Sequence, residues 1–378
     1  MKPEKDFLRH LAAFNSRQVY LESNPCVIYL ESVKGCPLSC AMCHNKRTTP
    51  KMISETLLKR IEPYFMDLEV MAIHGEGEPL LSNLRYFVER SVRHDFVLHM
   101  NSTGLLLTRK IADLLLKTRL SIRFSIHSGS KKTYRKVIGY DLDRVSENIS
   151  YLVKRARSSD KGHDFWLSFL VMKENIEEIE DFLRLAHDWG IHNVRFERLS
   201  PNWQSLRGVD MKDRNFTFKY FEQYNEHIRA KFLRKLPGYQ NLAHKLGIDI
   251  HFSSPLSHKE GFQPIKELSN TVTTALFGRG LFPLSRFEGA CLAPWFGQLI
   301  INQKGTVRLC CQTEYVLGNL YDATLDEIWN SKKMQAVRRS FKKGRIPRIC
   351  GYCRGFSFDN YPANSFVGIA RNSREQSL

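Results

Sequence analysis

Three cysteines near the start of the chain, Cys36, Cys40 and Cys43, lie within eight residues and follow a predicted strand. Three thiolates at this spacing can hold one face of an iron–sulfur cube, which leaves the fourth iron without a protein ligand. Zinc is the alternative, but structural zinc takes four ligands, and the adjacent His44 is poorly aimed to be the fourth. The spacing therefore favours a [4Fe–4S] cluster with one iron open to a small chelating molecule.

Five more cysteines lie between positions 291 and 353, and four of them form the second predicted ligand set, Cys291, Cys310, Cys350 and Cys353. Cys350 and Cys353 are separated by two residues, which is typical of metal sites. The other two bracket a predicted hairpin with its turn at 303–305. Four thiolates suit either zinc or a closed [4Fe–4S] cluster, and spacing leaves both open. Cys311 could replace Cys310, which we favour because adjacent strand residues point in opposite directions.

The charge of the chain is unusual, since 57 Lys and Arg against 39 Asp and Glu give a formal net charge of +18. Such a surplus favours anionic partners, although a solvated basic surface is the plainer alternative. No apolar run reaches the roughly 18–20 residues that span a bilayer, and the charged N-terminus lacks the apolar core of a signal peptide. We therefore expect a cytoplasmic protein with no membrane partner, whose clustered cysteines bind metal rather than form disulfides.

Between residues 26 and 200, short apolar strands alternate with helical patterns. The predicted strands are Val27–Ser32, Val70–His74, Val97–Asn101, Leu120–Ser125, Trp166–Met172 and Val194–Arg198. Predicted helices are Ser54–Tyr64, Leu84–Arg93, Thr108–Thr118, Asp141–Arg157 and Ile176–Trp189. Six βα units predict a parallel sheet with helices packed outside it. Because a closed barrel has eight units, the predicted fold class is α/β, a partial (β/α)6 barrel of parallel strands.

We divide the chain into five segments. They are an N-terminal extension (1–25), the partial barrel (26–202), a basic insertion or bridging segment (203–288), a small cysteine-bearing domain (289–356) and a polar tail (357–378). The bridging segment carries one predicted helix, Phe216–Phe232. The small domain has alternating apolar positions in Phe296–Ile301 and Thr306–Leu309, and a predicted helix at Thr324–Lys332.

The fourth predicted strand carries polar side chains on one face. A period of two places Ser121, Arg123, Ser125 and His127 together, whereas the alternate residues are apolar and would face the helices. A face this polar is unusual for a filled barrel and indicates a ligand cavity. Ser125 could contact the ribose or carboxylate of a cofactor. His127 is a candidate catalytic base, because histidine titrates near neutrality.

Charged residues also share this predicted lumen. Arg123 could bind a carboxylate or serve an internal ion pair. On the sixth strand, Arg195 and Glu197 lie on one face and could pair with each other. A structural ion pair is at least as well supported there as a catalytic role.

These motifs resemble those of the radical S-adenosylmethionine family. The Cys-x3-Cys-x2-Cys pattern, with apolar Met42 before its last cysteine, is that family's signature. The runs His74–Leu80, Asn101–Leu106 and Ser125–Gly139 resemble its Gly-Glu-Pro motif and its third-strand and fourth-strand segments. Two departures are Ser-Thr-Gly after Asn101, where Thr-Asn-Gly is commoner, and His127, where Asp is usual.

The resemblance implies a cofactor set and a mechanism. The open iron of the [4Fe–4S] cluster would chelate the amino and carboxylate groups of S-adenosylmethionine, and reduction would yield a 5′-deoxyadenosyl radical that takes a hydrogen atom from the substrate. The implied cofactor-binding residues are Met42, Gly77, Glu78, Pro79, Asn101 and Ser125. Glu78 can accept hydrogen bonds near the methionine ammonium, and Gly77 permits a close backbone approach.

The C-terminal domain resembles a SPASM/twitch domain, which binds auxiliary iron–sulfur clusters. The similar runs are Cys291–Trp295, Asn302–Cys311, Gly318–Leu320 and Glu327–Asn330. Full SPASM domains carry more cysteines, so this chain resembles the shorter single-cluster form, and two [4Fe–4S] clusters are expected in all. The auxiliary cluster could accept an electron from a substrate radical, or it could stabilise the fold of a domain whose own hydrophobic core is small.

Three functions are compatible with these residues. The leading hypothesis is a radical oxidoreductase or epimerase acting on a small polar metabolite, such as a sugar or cyclitol, for which the basic surplus suggests an anionic compound. The alternative is a peptide-modifying enzyme forming cross-links or D-residues, which the cluster loop at residue 36 disfavours because it leaves no room for an N-terminal peptide-recognition domain. A remote alternative, a zinc-containing nucleic-acid-binding protein, explains neither Gly-Glu-Pro nor the βα repeats. A flavodoxin- or ferredoxin-type electron donor is the expected protein partner.

Overall fold

The computed structural model describes residues 5–43, 45, 47–199, 218–252, 291–311 and 313–350. Its strands are β1 (Val27–Leu30), β2 (Val33–Lys34), β3 (Lys51–Met52), β4 (Val70–Ala72), β5 (Val97–Ser102), β6 (Leu120–Ser125), β7 (Asp164–Val171), β8 (Asn193–Arg198), β9 (Asp249–Phe252), β10 (Gly297–Ile301), β11 (Thr306–Arg308) and β12 (Val316–Asn319). Its helices are α1 (Lys5–Asn15), α2 (Glu55–Ile61), α3 (Leu84–His94), α4 (Arg109–Leu115), α5 (Lys131–Val137), α6 (Leu142–Ala156), α7 (Ile179–Asp188), α8 (Tyr220–Gln223), α9 (Glu226–Lys245), α10 (Ala293–Phe296), α11 (Leu325–Trp329) and α12 (Lys332–Lys342). Short 3-10 turns lie at Glu62–Asp67, Pro79–Leu81, Ile176–Glu178 and Arg348–Cys350.

All strands except β2 and β3 belong to one ten-stranded sheet, in the spatial order β12-β11-β10-β1-β4-β5-β6-β7-β8-β9. The six predicted strands of the barrel, β1 and β4 to β8, pair in parallel in that order. The described strands at the two ends, β12 and β9, do not pair with each other. The predicted α/β class and the partial barrel of parallel strands are confirmed.

Two further parallel strands make the sheet wider than predicted. β9, from the bridging segment, pairs with β8. β10 pairs in parallel with β1, and Leu30 lies opposite Ile301. β11 and β12 then extend this edge in antiparallel register. The C-terminal domain therefore continues the barrel sheet directly.

In the barrel, the bounds of the predicted helices agree with the observed ones to within a few residues. Beyond the barrel, prediction and structure differ in two places. The described part of the bridging segment has two helices, α8 and α9, where one is predicted at Phe216–Phe232, because Tyr224 is extended and the Asn225 side chain caps α9. The first two residues of that predicted helix lie outside the described residues. The predicted helix Thr324–Lys332 is also divided: α11 ends at Trp329, and the Ser331 side chain caps α12. Within the described ranges, no helix combines the length and apolarity needed to cross a membrane.

The two faces of β6 separate as its period of two predicts. Leu120, Ile122 and Phe124 are buried in the core that the helices cover. On the neighbouring strand, Phe169 lies 4.7 Å from Phe182 of α7, ring centre to ring centre. The polar residues of β6 lie on the opposite face, which we call the lumen face.

Interactions across the lumen face show that the sheet is curved. Adjacent strands lie about 4.8 Å apart, so a flat sheet would separate β1 from β8 by about 24 Å. Tyr29 of β1 nevertheless interacts electrostatically with Arg123 of β6 and Arg195 of β8. The strands therefore wrap around a common lumen.

The first helix and the segment after it pack against the C-terminal domain. Phe14 of α1 meets Trp295 edge-on, with ring centres 5.4 Å apart. The Trp295 indole nitrogen donates to the Gln18 carbonyl at 2.9 Å, and the Trp329 indole nitrogen donates to the Ser23 carbonyl at 3.0 Å. Residues from the two ends of the chain thus share one core, while the predicted domain boundaries stay predictions.

Replacing Arg338 tests this long-range contact. Its fully buried guanidinium donates to the carbonyls of Pro294 and Val19 and to the Asn330 side chain, at 2.7–3.0 Å. Arg338→Ala would leave the Pro294 and Val19 carbonyls without this donor, while Asn330 Oδ1 keeps its hydrogen bond from Leu21 N. The free energy of unfolding should therefore fall by about 3 kcal/mol. Arg339→Ala, on the exposed side of the same helix, should change it by less than about 0.5 kcal/mol. Urea unfolding compares the two variants, and equal losses would contradict this role for Arg338.

Candidate active site

The loop that carries the first three cysteines rests on the loop after β4. Gly35 N donates to the Glu76 carbonyl at 2.9 Å, and Gly35 and Gly77 form an isolated bridge. A Cβ at Gly77 would lie 2.5 Å from the Val33 carbonyl oxygen, so only glycine permits this contact. The close approach predicted for Gly77 is therefore made by the cysteine loop itself.

The thiols of Cys36, Cys40 and Cys43 lie close enough to affect one another electrostatically. Burial, and after it the nearby Cys43 and Cys36 thiols, raise the pKa of Cys40 to about 12. Burial raises the pKa of Cys36 to about 11, and Glu78 and Cys43 act in the same direction. Thiolates gathered here need a cationic partner, and cluster iron is one. The donor set therefore fits the predicted cluster.

Contacts from distant segments hold the cysteine loop in place. Ala41 N donates to the Val137 carbonyl, at the end of α5, at 2.7 Å. From the bridging segment, the Tyr220 hydroxyl donates to the Met42 carbonyl. Local sequence patterns do not predict Tyr220, because this contact joins residues 178 positions apart. His44, considered above as a zinc ligand, lies outside the described residues.

Glu78 is buried, and its carboxylate joins the loop after β4 to the end of β5. One oxygen accepts from Ser102 Oγ at 2.8 Å and Leu80 N at 3.2 Å. The other accepts from Thr103 N at 3.2 Å and Thr103 Oγ1 at 3.3 Å. Burial raises the pKa of Glu78 despite these hydrogen bonds. The unusual Ser-Thr-Gly sequence after Asn101 thus supplies hydroxyl groups that bind Glu78.

The other predicted cofactor residues lie at or near strand ends. Asn101 is opposite Arg123 in the sheet, and Ser125, the last residue of β6, is opposite Ser168. Pro79 starts the 3-10 turn after β4. Contact of S-adenosylmethionine with these residues, and with Met42, Gly77 and Glu78, stays a prediction.

His127 is buried and holds the end of β6 against β7. Its backbone has a φ of 56°, in the left-handed region. Its Nδ1 lies 2.9 Å from the Ser168 carbonyl oxygen and 3.1 Å from Leu170 N. Burial lowers the pKa of His127 to about 4, so the ring is neutral near pH 7. These contacts are structural, and the catalytic role of His127 stays a prediction.

The loop after β6 folds around Glu178. Its carboxylate accepts hydrogen bonds from two backbone amides and three hydroxyl groups, at 2.5–3.2 Å, contributed by Ser128, Gly129, Ser130 and Thr133. Burial raises the pKa of Glu178, but the hydrogen bonds outweigh burial and lower it overall. Polar groups of the run Ser125–Gly139 therefore bind the Glu178 carboxylate and hold the loop after β6 around it.

Aromatic rings line part of the lumen. His74 lies between Tyr29 and His99, with ring centres 5.4 and 5.3 Å away. Farther round the barrel, the ring centres of Trp166 and His251 are 4.6 Å apart. Burial lowers the pKa of His74 to about 3 and that of His251 to about 4, so both rings are neutral. The sequence prediction misses His251 because it misses β9.

Arg123, Arg195 and Glu197 meet in the lumen, as their strand faces predict. Arg195 Nε lies 3.2 Å from Glu197 Oε1, and Arg123 Nη1 lies 3.6 Å from the same oxygen. Burial raises the pKa of Glu197, but Arg195 and Arg123 lower it overall, so the carboxylate stays ionised. The predicted pair is present, and Arg123 joins it.

The second cysteine group borders the lumen at the opposite end of β1 from the first. Cys291 precedes α10 and β10, and β11 runs antiparallel to β10, so it returns the chain to that end before Cys310. Burial is the main cause of the raised pKa of Tyr29, and Cys311 and Cys310 add to it. The choice between these two cysteines stays a prediction. Cys350 ends the last 3-10 turn, and Cys353 lies outside the described residues.

Two protein-family models match this chain. Residues 30–186 match the radical SAM superfamily, and residues 291–354 match SPASM, an iron–sulfur cluster-binding domain. The chain is a radical SAM enzyme with a SPASM domain. The matches include both cysteine groups, and the predicted [4Fe–4S] clusters and S-adenosylmethionine (SAM) are confirmed as its cofactors.

Proteins similar to this radical SAM enzyme align with different fractions of its chain. A probable GTP 3′,8-cyclase of Saccharolobus islandicus is 30% identical over 137 residues, which are 35% of this chain and 41% of that relative. The chain thus spans about two fifths of the length of the curated relatives it matches. SuiB of Streptococcus suis, solved with its precursor peptide SuiA, aligns with 89% of this chain and 71% of its own at 15% identity and a TM-score of 0.60. anSMEcpe, solved with bound AdoMet and a peptide, aligns with 93% of this chain and 94% of its own at 15% identity and a TM-score of 0.57. Both similarities concern the fold.

The pH dependence of stability tests the role of Glu178. Because the folded pKa is lowered, its stabilisation is present above the unfolded pKa of about 4.3 and is lost as pH falls through the folded pKa. Glu178→Gln should lower the free energy of unfolding by about 1 kcal/mol at neutral pH, with a smaller difference in acid. Glu180→Gln, exposed in the first turn of α7, should have little effect at either pH. Urea unfolding of the apoprotein measures this, and a pH-independent difference would contradict it.

Iron content tests the second ligand set. A chain with two [4Fe–4S] clusters holds about eight irons, so loss of one cluster leaves about four. We expect Cys310→Ala to show this loss, whereas Cys311→Ala, the matched neighbour, should keep both clusters. The reverse result would assign the ligand to Cys311. The measurement is iron and sulfide per chain after anaerobic reconstitution.

Proposed function

We propose that this radical SAM enzyme modifies a peptide by removing a hydrogen atom from one of its residues inside the lumen. One observation supports the proposal: the two ends of β1 lead towards the two cysteine groups, and Tyr29 of β1 lies at the polar lumen. Tyr29, between them, interacts electrostatically with Cys310 and Cys311 and also with the lumen arginines. A peptide substrate is supported by SuiB and anSMEcpe, which share the fold over most of this chain and were solved with peptides bound.

The first cysteine group would hold the cluster that binds SAM. Cys36, Cys40 and Cys43 would leave one iron free to take the amino and carboxylate groups of SAM, and Asn101 and Ser125, near the strand ends, would contact the cofactor. When bound, these cofactors supply an electron and, from it, a 5′-deoxyadenosyl radical able to attack an unactivated C–H bond.

The chain's own residues position the reacting groups. Glu78 and Glu178 hold the loops after β4 and β6 in one conformation, which favours a single approach of the substrate C–H bond. Tyr29 keeps its proton, since burial raises its pKa well above neutrality, and its hydroxyl can donate a hydrogen bond within the lumen. The second cysteine group would hold an auxiliary cluster that accepts an electron from the substrate, supports the sheet edge, or does both.

A small polar metabolite is the second candidate substrate. The sequence relatives are named for GTP, a small molecule, and the paired arginines of the lumen suit a compact anionic compound. Oxidation, epimerisation and cross-linking are all open to a substrate radical. Product analysis separates them, because oxidation of a carbinol leaves a carbonyl group and epimerisation does not.

An acidic electron donor of the flavodoxin or ferredoxin type is the proposed protein partner. The net charge of +18 would attract such a donor over several ångströms and raise the rate of encounter. The cytoplasm is the proposed location, since a reducing compartment keeps the cysteines available to iron.

Deuterium transfer tests the substrate class. Reconstituted enzyme receives SAM, a strong reductant and deuterated peptides encoded next to its gene, with deuterated sugars as the alternative. We expect deuterium from a peptide in 5′-deoxyadenosine, detected by mass spectrometry. Cys40→Ala should abolish 5′-deoxyadenosine, whereas Cys26→Ala, whose buried thiol contacts the Phe296 carbonyl, should retain it. Transfer from a sugar alone would overturn the peptide proposal.

A further inference from the structure

Two largely buried cations in the lumen share one acceptor. Arg195 Nε and Arg123 Nη1 approach the same carboxylate oxygen, Glu197 Oε1, at 3.2 and 3.6 Å. Ser168 Oγ donates to this oxygen as well, at 3.3 Å. The carboxylate therefore neutralises one of the two positive charges, and its nearer oxygen is already crowded.

Most guanidinium donors are unused within the described part of the chain. Each guanidinium has five N–H donors, and Glu197 is the one ion-pair partner that Arg123 and Arg195 have there. The buried Nε atoms of both arginines make no hydrogen bond to another described residue, because the 3.2 Å approach of Arg195 Nε to Glu197 Oε1 is an ion pair without hydrogen-bond geometry. Buried charges are normally paired and hydrogen-bonded, because desolvation is otherwise costly. This arrangement indicates a counter-ion supplied by a ligand.

A second carboxylate near these arginines, Asp164, is engaged elsewhere. It accepts from Trp166 Nε1 at 2.5 Å, and Ser121 Oγ and Asn193 Nδ2 lie 3.4 Å from its oxygens. It interacts electrostatically with Arg123 without forming one of the described ion pairs. Asp164 therefore reduces the excess positive charge but leaves the guanidinium donors open.

We propose that Arg123 and Arg195 bind an anionic group of the substrate, a carboxylate or a phosphate, with His251 as a further donor. The inference rests on the proposed function, because it names the group by which the lumen holds its substrate. In the sheet, Arg195 lies between Ser168 and His251 on neighbouring strands. The buried Nε2 of His251 has no hydrogen-bond partner among the described residues, so the neutral ring can donate to an oxoanion.

The position of this site suits an anchor rather than a reacting centre. Arg123 lies two residues before Ser125 on β6, which places it about 7 Å deeper along the strand. The Arg123 and Arg195 side chains are 17% and 13% exposed, so a ligand can reach them. An anion held there would leave the rest of the substrate near the strand ends, where SAM is expected. Guanidinium forks match both carboxylate and phosphate oxygens.

Equilibrium binding to the reconstituted holoenzyme with SAM tests the anion site. The probes are phenyl phosphate, a blocked glutamate with one side-chain carboxylate, and the matched blocked glutamine. We expect one saturable site per chain for at least one anionic probe and none for glutamine. Arg195→Gln should weaken binding at least about tenfold, since hydrogen bonds to a charged group are lost. Arg198→Gln, one residue beyond Glu197 and on the opposite face of β8, should leave affinity unchanged.

The results distinguish the two possible sources of the anion, and they test this inference separately from the proposed function. Binding of the glutamate probe alone indicates an acidic peptide residue, and binding of phenyl phosphate alone indicates a phosphorylated substrate. Arg195→Lys, which keeps the charge, should bind more tightly than Arg195→Gln, and circular dichroism shows that each variant folds. Equal losses in Arg195→Gln and Arg198→Gln, or no saturable binding, would overturn the inference. Production of 5′-deoxyadenosine in the same samples reports the proposed function separately.

Discussion

The parallel pairing of β1 with strands on both sides is the constraint on which the molecule depends. On one side β1 pairs with β4 of the radical SAM barrel, and on the other with β10 of the SPASM domain. The chain leaves the C-terminal end of β1 towards Cys36, while the hairpin beyond β10 returns Cys310 towards its other end. One short strand thereby sets the relative placement of the two cysteine groups, with the lumen and Tyr29 between them.

Two carboxylates, the buried Glu78 and the half-buried Glu178, organise the loops at the strand ends. Glu78 receives four hydrogen bonds and Glu178 receives at least five, all from the loops that they hold. In both cases serine and threonine hydroxyls replace the water that a carboxylate loses on burial. The polar runs after β5 and β6 are thus explained by packing around an anion, before any contact with a cofactor is considered. Deeper in the lumen, Arg123 and Arg195 share one carboxylate, Glu197, as their ion-pair partner among the described residues.

Features that depend on neighbouring residues could be predicted from the sequence. The three-cysteine loop, the six barrel strands and the polar face of β6 follow from short spacings and a period of two. β9 could not be predicted, because Asp249–Phe252 is a strand only through its pairing with β8. The Tyr220–Met42 contact and the burial of Arg338 also join distant positions. Glu178 appears in the sequence as an ordinary helix residue, and its role depends on where α7 lies.

The pairing of β1 with β10 has a consequence for biosynthesis. Cys26, the residue before β1, forms a hydrogen bond with the carbonyl of Phe296, which is synthesised 270 residues later. A ribosome therefore exposes β1 with one edge of amide and carbonyl groups unpaired for most of translation. Such edges are templates for association with other chains, and pairing across so long a loop is slow to form. Nascent chains of this protein should depend on chaperones until the last strands emerge.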